Sequence, residues 1–176
     1  MAYNAGGSSG NLVLIQKQTA SNSASLTFTT GISGFDVYYL SYYNVQLQTN
    51  LQALLVQYST DGGSTWVTTN YLTEGMQARA GVAIINMDTS LAGVALCNTA
   101  NASASQVIAG NCYFYGIGNS TTEKYAFANT VCYTGGLGAY ALGTTQTVTT
   151  AVNGFKVLAQ SGNLVTGTFK LYGVAN

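Results

Sequence analysis

The sequence predicts an all-β protein, an antiparallel β-sandwich of jelly-roll-like form. Three observations predict it. Short runs rich in Tyr, Thr and Val recur at roughly 10–12-residue spacing, separated by Gly-, Ser- and Asn-rich breaks. No long segment carries the 3.6-residue apolar period of an amphipathic helix. No unit repeats at fixed spacing, which argues against a propeller or solenoid. The 176 residues suffice for one domain with a real core. Residues 11–176 read as that single sandwich domain, and residues 1–10, "MAYNAGGSSG", as a flexible Gly/Ser-rich N-terminal arm.

The elements follow in order. "LVLIQKQT" (12–19) and "ASLTFTT" (24–30) read as strands, the second with Leu26 and Phe28 inward and Thr27 and Thr29 outward. "FDVYYLSYYNVQLQ" (35–48) places Val37, Tyr39, Ser41, Tyr43 and Val45 on one face and Tyr38, Leu40, Tyr42 and Asn44 on the other. Both faces carry large aromatics, so this strand is central or meets a partner on its second side. "LQALLVQYS" (51–59) and "TWVTTNYL" (65–72) flank a Gly-rich turn and read as a hairpin. Residues 73–104 are ambiguous: a short helix near Met76–Ala80 competes with short strands and loops. "SQVIAGNCYFYGIG" (105–118) and "TTEKYAFANTVCYT" (121–134) form a second hairpin about Asn119-Ser120, and "GGLGAYALG" reads as a glycine-rich connection. "TTQTVTTAV", "NGFKVLAQSG" and "NLVTGTFKLYGVAN" close the chain as three short strands, giving nine to eleven in all.

Composition narrows the function. Charged residues make up 6% of the chain, where about 25% is usual. A surface this poor in charge is neutral-polar, covered by other subunits, or both. Net charge is zero and no basic cluster exists, so neither nucleic acid nor an anionic membrane is an expected partner. Pro is absent, which with low charge removes two protections of sheet edges and again favours oligomerisation. The N-terminus lacks the basic and apolar regions of a signal peptide, and no window is apolar enough to span a bilayer. The expectation is a protein made in a cytoplasm that stays there or leaves inside an assembly.

Catalysis is not expected, and neither is a cofactor. There is no His, which removes the commonest general base, the commonest transition-metal ligand, and any Ser-His-Asp or Cys-His site within one chain. The three cysteines, Cys97, Cys112 and Cys132, lack metal-ligand spacing and read as buried free thiols in strands, with a Cys112–Cys132 bridge as the alternative. Five carboxylates are scattered, whereas glycoside hydrolysis needs two flanking one bond. Asp88 alone is too little for a calcium site. Two glycosylation sequons, at Asn101 and Asn119, are expected by chance in a chain rich in Asn, Ser and Thr.

"STDGGSTW" (59–66) matches the S-x-D-x-G-x-T-W Asp box known from sialidase blades. A sialidase would need several arginines for the substrate carboxylate, and this chain has one, Arg79. The motif has a structural role instead. Asp61 accepts backbone N–H groups within the turn, Gly62 and Gly63 allow positive φ, and Ser59 and Thr65 bond locally. Trp66 is expected to enter the next strand and anchor the hairpin in apolar surroundings. The tyrosines carry two readings. Tyr42, Tyr43, Tyr113 and Tyr115 either fill the core and a subunit interface or form a platform on which sugar rings stack.

"LVLIQKQTASNSASLTFTTGISG-FDVYYLSYYNVQ", the "YSTDGGSTW" turn and the closing "SGNLVTGTFKLYGV" together resemble small virion proteins of tailed bacteriophages and prophages. The resemblance covers both ends and carries no catalytic residue. It implies a β-sandwich displayed on the particle, as a capsid decoration (cement) protein or a tail or fibre component. The implied partners are further copies of the chain, a trimer first, and other virion proteins. The other reading is a lectin-like fibre tip whose partner is a host surface glycan.

Overall fold

In a computed structural model the described residues are 12–79, 82–88 and 91–175; the arm expected at 1–10 lies outside them. Among the described residues twelve strands form two layers. They are β1 (Leu12–Ser23), β2 (Leu26–Phe28), β3 (Val37–Leu47), β4 (Gln52–Ser59), β5 (Tyr71–Arg79), β6 (Val82–Asp88), β7 (Val94–Ala100), β8 (Ile108–Tyr115), β9 (Lys124–Tyr133), β10 (Leu137–Gln146), β11 (Gly154–Ala159) and β12 (Leu164–Val174). The narrow layer runs β2-β11-β4-β7, and the wide one runs β1-β12-β3-β8-β9-β10-β5-β6.

The first four strands of the wide layer, facing the narrow one, reproduce the two Greek keys of a jelly roll. Two insertions widen it. The β5–β6 hairpin lies between β4 and β7 in the chain, and β9–β10 lies between β8 and β11. Both add to the same edge, so a four-stranded extension continues the wide layer beyond β8. All pairings within the layers are antiparallel.

The core lies between the layers. β4 is buried along almost its whole length, as its continuous apolar run requires. Tyr38, Tyr58, Phe114 and Phe155 form an aromatic cluster with ring centroids 5.0–6.1 Å apart. Edge-to-face geometry between Tyr58 and both phenylalanines suits the ring quadrupoles. Leu26 and Phe28 point inward on β2, and Phe169 and Leu171 do so on β12.

Several expectations need correction. "GGLGAYALG" is mostly strand, the start of β10, paired on both sides by β9 and β5. Met76–Arg79 is strand, not helix. "TTQTVTTAV" leaves the strand state after Gln146. "TWVTTNYL" does not pair with β4: the next strand starts at Tyr71 and joins the other layer, so the Gly-rich turn opens a crossing between layers. Only the Val67 amide to Tyr58 carbonyl bond, 2.8 Å, keeps a hairpin character. On β3 the alternation breaks at Asn44, which sits at φ 54° beside a register shift. That bulge turns Val45 into the core, away from the face of Tyr39 and Tyr43.

Candidate functional site

The Asp-box turn is a closed hydrogen-bonded unit. Asp61 Oδ1 accepts from the Ser59 hydroxyl at 2.7 Å and the Thr65 amide at 2.9 Å, and Oδ2 accepts from the Thr65 hydroxyl at 2.6 Å. Those donors hold the Asp61 carboxyl down at about 2, the Thr65 hydroxyl contributing most. Ser59 Oγ accepts the Gly63 amide at 2.8 Å, and Asn153 Oδ1 accepts the Gly62 amide at 2.8 Å. Gly63 sits at φ 92° where a Cβ would fall 2.7 Å from Thr29 Cγ2, so both conformation and space require glycine. Trp66 is only half-buried. It lies over the Gly63 and Gly154 backbones, with Lys156 Nζ 4.9 Å from its ring. The anchor in apolar surroundings expected of Trp66 is supplied instead by the buried pair Tyr58 and Tyr71, 5.7 Å apart. This turn spends its polar groups on itself and on Asn153.

The four singled-out tyrosines separate. Tyr42 is buried, with its hydroxyl 2.5 Å from Thr130 Oγ1, and offers nothing to a sugar ring. Tyr43, Tyr113 and Tyr115 share the outer face of the wide layer. Tyr43 lies 5.7 Å from Lys170 Nζ. Tyr113 stacks against Tyr115 at 6.2 Å and meets Tyr39 at 4.8 Å, which in turn meets Tyr172 at 5.9 Å. Strand register extends that row: Leu14, Tyr172, Tyr39, Tyr113, Phe127, Gly143 and Glu74 lie opposite one another across β1, β12, β3, β8, β9, β10 and β5.

On β9 and most of β5 the usual hydrophobic order is inverted, while β10 between them keeps Tyr140 and Leu142 inside. β9 alternates strictly, but Ala126, Ala128, Thr130 and Cys132 are inside while Tyr125, Phe127, Val131 and Tyr133 are outside. β5 likewise buries Thr73 and Gln77 and exposes Leu72 and Met76, the latter at 62%. The inward hydroxyls are paired, Thr73 with Thr144 at 2.9 Å and Thr130 with the Leu96 carbonyl. β9, and β5 beyond Tyr71, therefore face the narrow layer with small and polar groups and turn their large apolar side chains to the outside. Burying one such side chain contributes about 1.5–3 kcal/mol, so leaving several uncovered on one face is costly for a lone chain.

Two of the open hollows on this face lie over small residues. One, of about 340 Å³, lies over Gly143 between Leu72, Glu74, Tyr125 and Thr145. Glu123 accepts the Thr145 hydroxyl at 3.2 Å beside it. The other, of about 420 Å³, lies over Ala109, Asn111, Asn129 and Ala139. The first brings an aromatic side chain, Tyr125, together with the carboxylates of Glu74 and Glu123. Sequence reasoning missed Tyr125, Phe127 and Glu74 here, although the strict alternation of "KYAFANTVCY" with its small residues on one side was a usable signal.

Lys124 is fully buried. Its ammonium donates to the carbonyls of Asn119 at 2.6 Å, Thr122 at 2.7 Å and Thr149 at 3.2 Å, tying the β8–β9 turn to the segment after β10. The three cysteines are free and buried, and the close pair is Cys97 with Cys132, Sγ atoms 3.2 Å apart, not Cys112 with Cys132. Among the described residues no group of three His, Cys, Asp or Glu side chains could hold a metal ion, and no helix is long and apolar enough to cross a membrane.

The fold and surface define a class: an extended jelly-roll sandwich with an aromatic, weakly charged outer sheet face. No family model, curated protein or solved structure matches the chain.

Proposed function

We propose that the chain is a non-enzymatic structural protein of a bacteriophage virion, a capsid decoration or tail or fibre component that acts through homo-oligomeric assembly. The observation that carries this reading is the inverted pattern of β9 and of β5 beyond Tyr71, where Tyr125, Phe127, Val131, Tyr133, Leu72 and Met76 face outward. Side chains of that kind belong against a partner. The sparse charge of the whole sequence fits a surface that other subunits cover, and the resemblance of both chain ends to small virion proteins supplies the setting. Antibody against the chain should label the shell or tail of particles encoded by the same genome. Unlabelled particles, with the chain present free in the lysate, overturn the reading.

A second reading rests on the hollow over Gly143. Tyr125 supplies an aromatic ring to its lining, and Glu74 and the Glu123–Thr145 pair supply acceptors for sugar hydroxyls, which suits a glycan-binding fibre tip. Tyr43, Tyr113 and Tyr115 extend the platform. Glycan binding lost in Tyr125→Ala with assembly intact supports this reading, and an absence of binding to surface glycans of the host removes it.

A further inference from the structure

We infer that the outer face of the wide layer docks onto the same face of a second copy, about a two-fold axis that runs along the strands between β8 and β9. This rests on the homo-oligomeric reading above and specifies its surface and symmetry.

A two-fold along the strand direction carries a uniformly twisted sheet onto its own twist, so two such faces meet with matched curvature, the aligned packing of sheet on sheet. An axis between β8 and β9 places the jelly-roll half of each face over the extension of the other: β8 over β9, β3 over β10, and β12 over β5. The halves differ in relief. The jelly-roll half bears the ring of Tyr39, and the strand opposite it in the pair, β10, bears Gly143 in the same cross-strand row. Tyr39 of one copy thus enters the hollow over Gly143 of the other.

The charges are split the same way. Lys17 and Lys170 lie opposite each other on β1 and β12, while Glu74 and Glu123 stand beside the hollow on the extension. Lys170 and Glu74 are five strands apart in the layer, about 24 Å at ordinary strand spacing, beyond the Debye length at physiological salt. They do not interact within one chain. The two-fold brings β12 over β5 and sets them one two-residue step apart along the strands, a gap a lysine side chain spans. Isologous contacts of this kind are self-complementary.

The size is adequate. Six strands with three outward positions each cover about 600 Å² per copy, or about 1,200 Å² for the pair, which reaches the lower limit of stable specific interfaces.

The test is light scattering and sedimentation of the full chain across a concentration series, with circular dichroism as the check on folding. The wild type is expected as a dimer or a multiple of one. Phe127→Lys puts a charge at the centre of the face on an already exposed position and should weaken association at least tenfold. Lys170→Glu and Glu74→Lys should each weaken it, and the double variant should recover it, because the reversed pair meets again across the axis. Wild-type assembly left unchanged by all three single variants, or an assembly of three copies, overturns the inference and leaves the assembly reading standing. A monomer throughout the series overturns both.

Discussion

Replacing Lys124 by methionine probes the least expected feature of the interior. The ammonium has no exposed surface, and its three partners are backbone carbonyls, none of them a carboxylate. Methionine keeps the length of the stem and leaves the carbonyls of Asn119, Thr122 and Thr149 without their donor. Hydrogen bonds to a charged group contribute about 1.5–3 kcal/mol each, so the gross loss for three is about 4.5–9 kcal/mol. Against it stands the several kcal/mol that burying an ammonium costs, which the variant no longer carries. The net expectation is a loss of about 3 kcal/mol, read by urea unfolding followed in the far ultraviolet, with the slope m unchanged. Burial also pushes Lys124 below the ordinary lysine value. In the window between the lowered folded value and the unfolded one, the unfolded state holds more protons, so wild-type stability rises with pH there. Lys124→Met should lack that share of the rise. A change below about 1 kcal/mol, or a stabilisation, refutes the argument that the three carbonyls depend on this ammonium.

Three other predictions are independent of that one. Among the described residues the buried Tyr58 hydroxyl has no partner, so Tyr58→Phe should stabilise the chain by about 1 kcal/mol in the same unfolding assay; a loss of that size would show that the hydroxyl is bonded. Asp61 is lowered from 3.8 to about 2 in the fold, so its contribution is complete above the unfolded value and is lost as pH falls from about 3.8 through about 2. Acid unfolding of Asp61→Asn should lack that component, and an identical acid profile would remove Asp61 from the account. Burial raises the thiols of Cys97 and Cys112, and thiolate is the reactive form. A thiol reagent should therefore leave the native chain unmodified and label three sites after denaturation; fast native labelling contradicts the packing.

Much of the sandwich was legible because alternation and burial agree at the chain ends. Leu26 and Phe28 on β2 and Phe169 and Leu171 on β12 are apolar, alternate, and point inward. β10 was hidden because "GGLGAYALG" is built of small residues with weak strand preference, and its pairing is set by β9 and β5 on either side. The Asp-box turn was legible as chemistry, since Ser59, Asp61 and Thr65 satisfy one another locally. Its destination was not, because a local motif does not say which sheet the next strand joins. Tyr42 and Tyr43 are adjacent and chemically identical in sequence, and only the parity of β3 puts one in the core and the other outside. Lys124 shows the same limit: nothing in "TEKY" tells that a lysine turns inward onto carbonyls. The outer face was half-written in the sequence, as alternation with the large residues on one side, but alternation alone does not say which side faces the core.

The central claim is that this outer face is covered by protein when the chain functions. Hydroxyl-radical footprinting of the concentrated wild type, read by mass spectrometry, measures it directly. Met76, Tyr125 and Phe127 are exposed at 62%, 52% and 42% in the single chain. The account predicts that all three are protected at high concentration and become reactive on dilution, while Leu51, which lies off this face at 55% exposure, reacts equally in both. Reaction of the three at their single-chain exposure under every condition would contradict it.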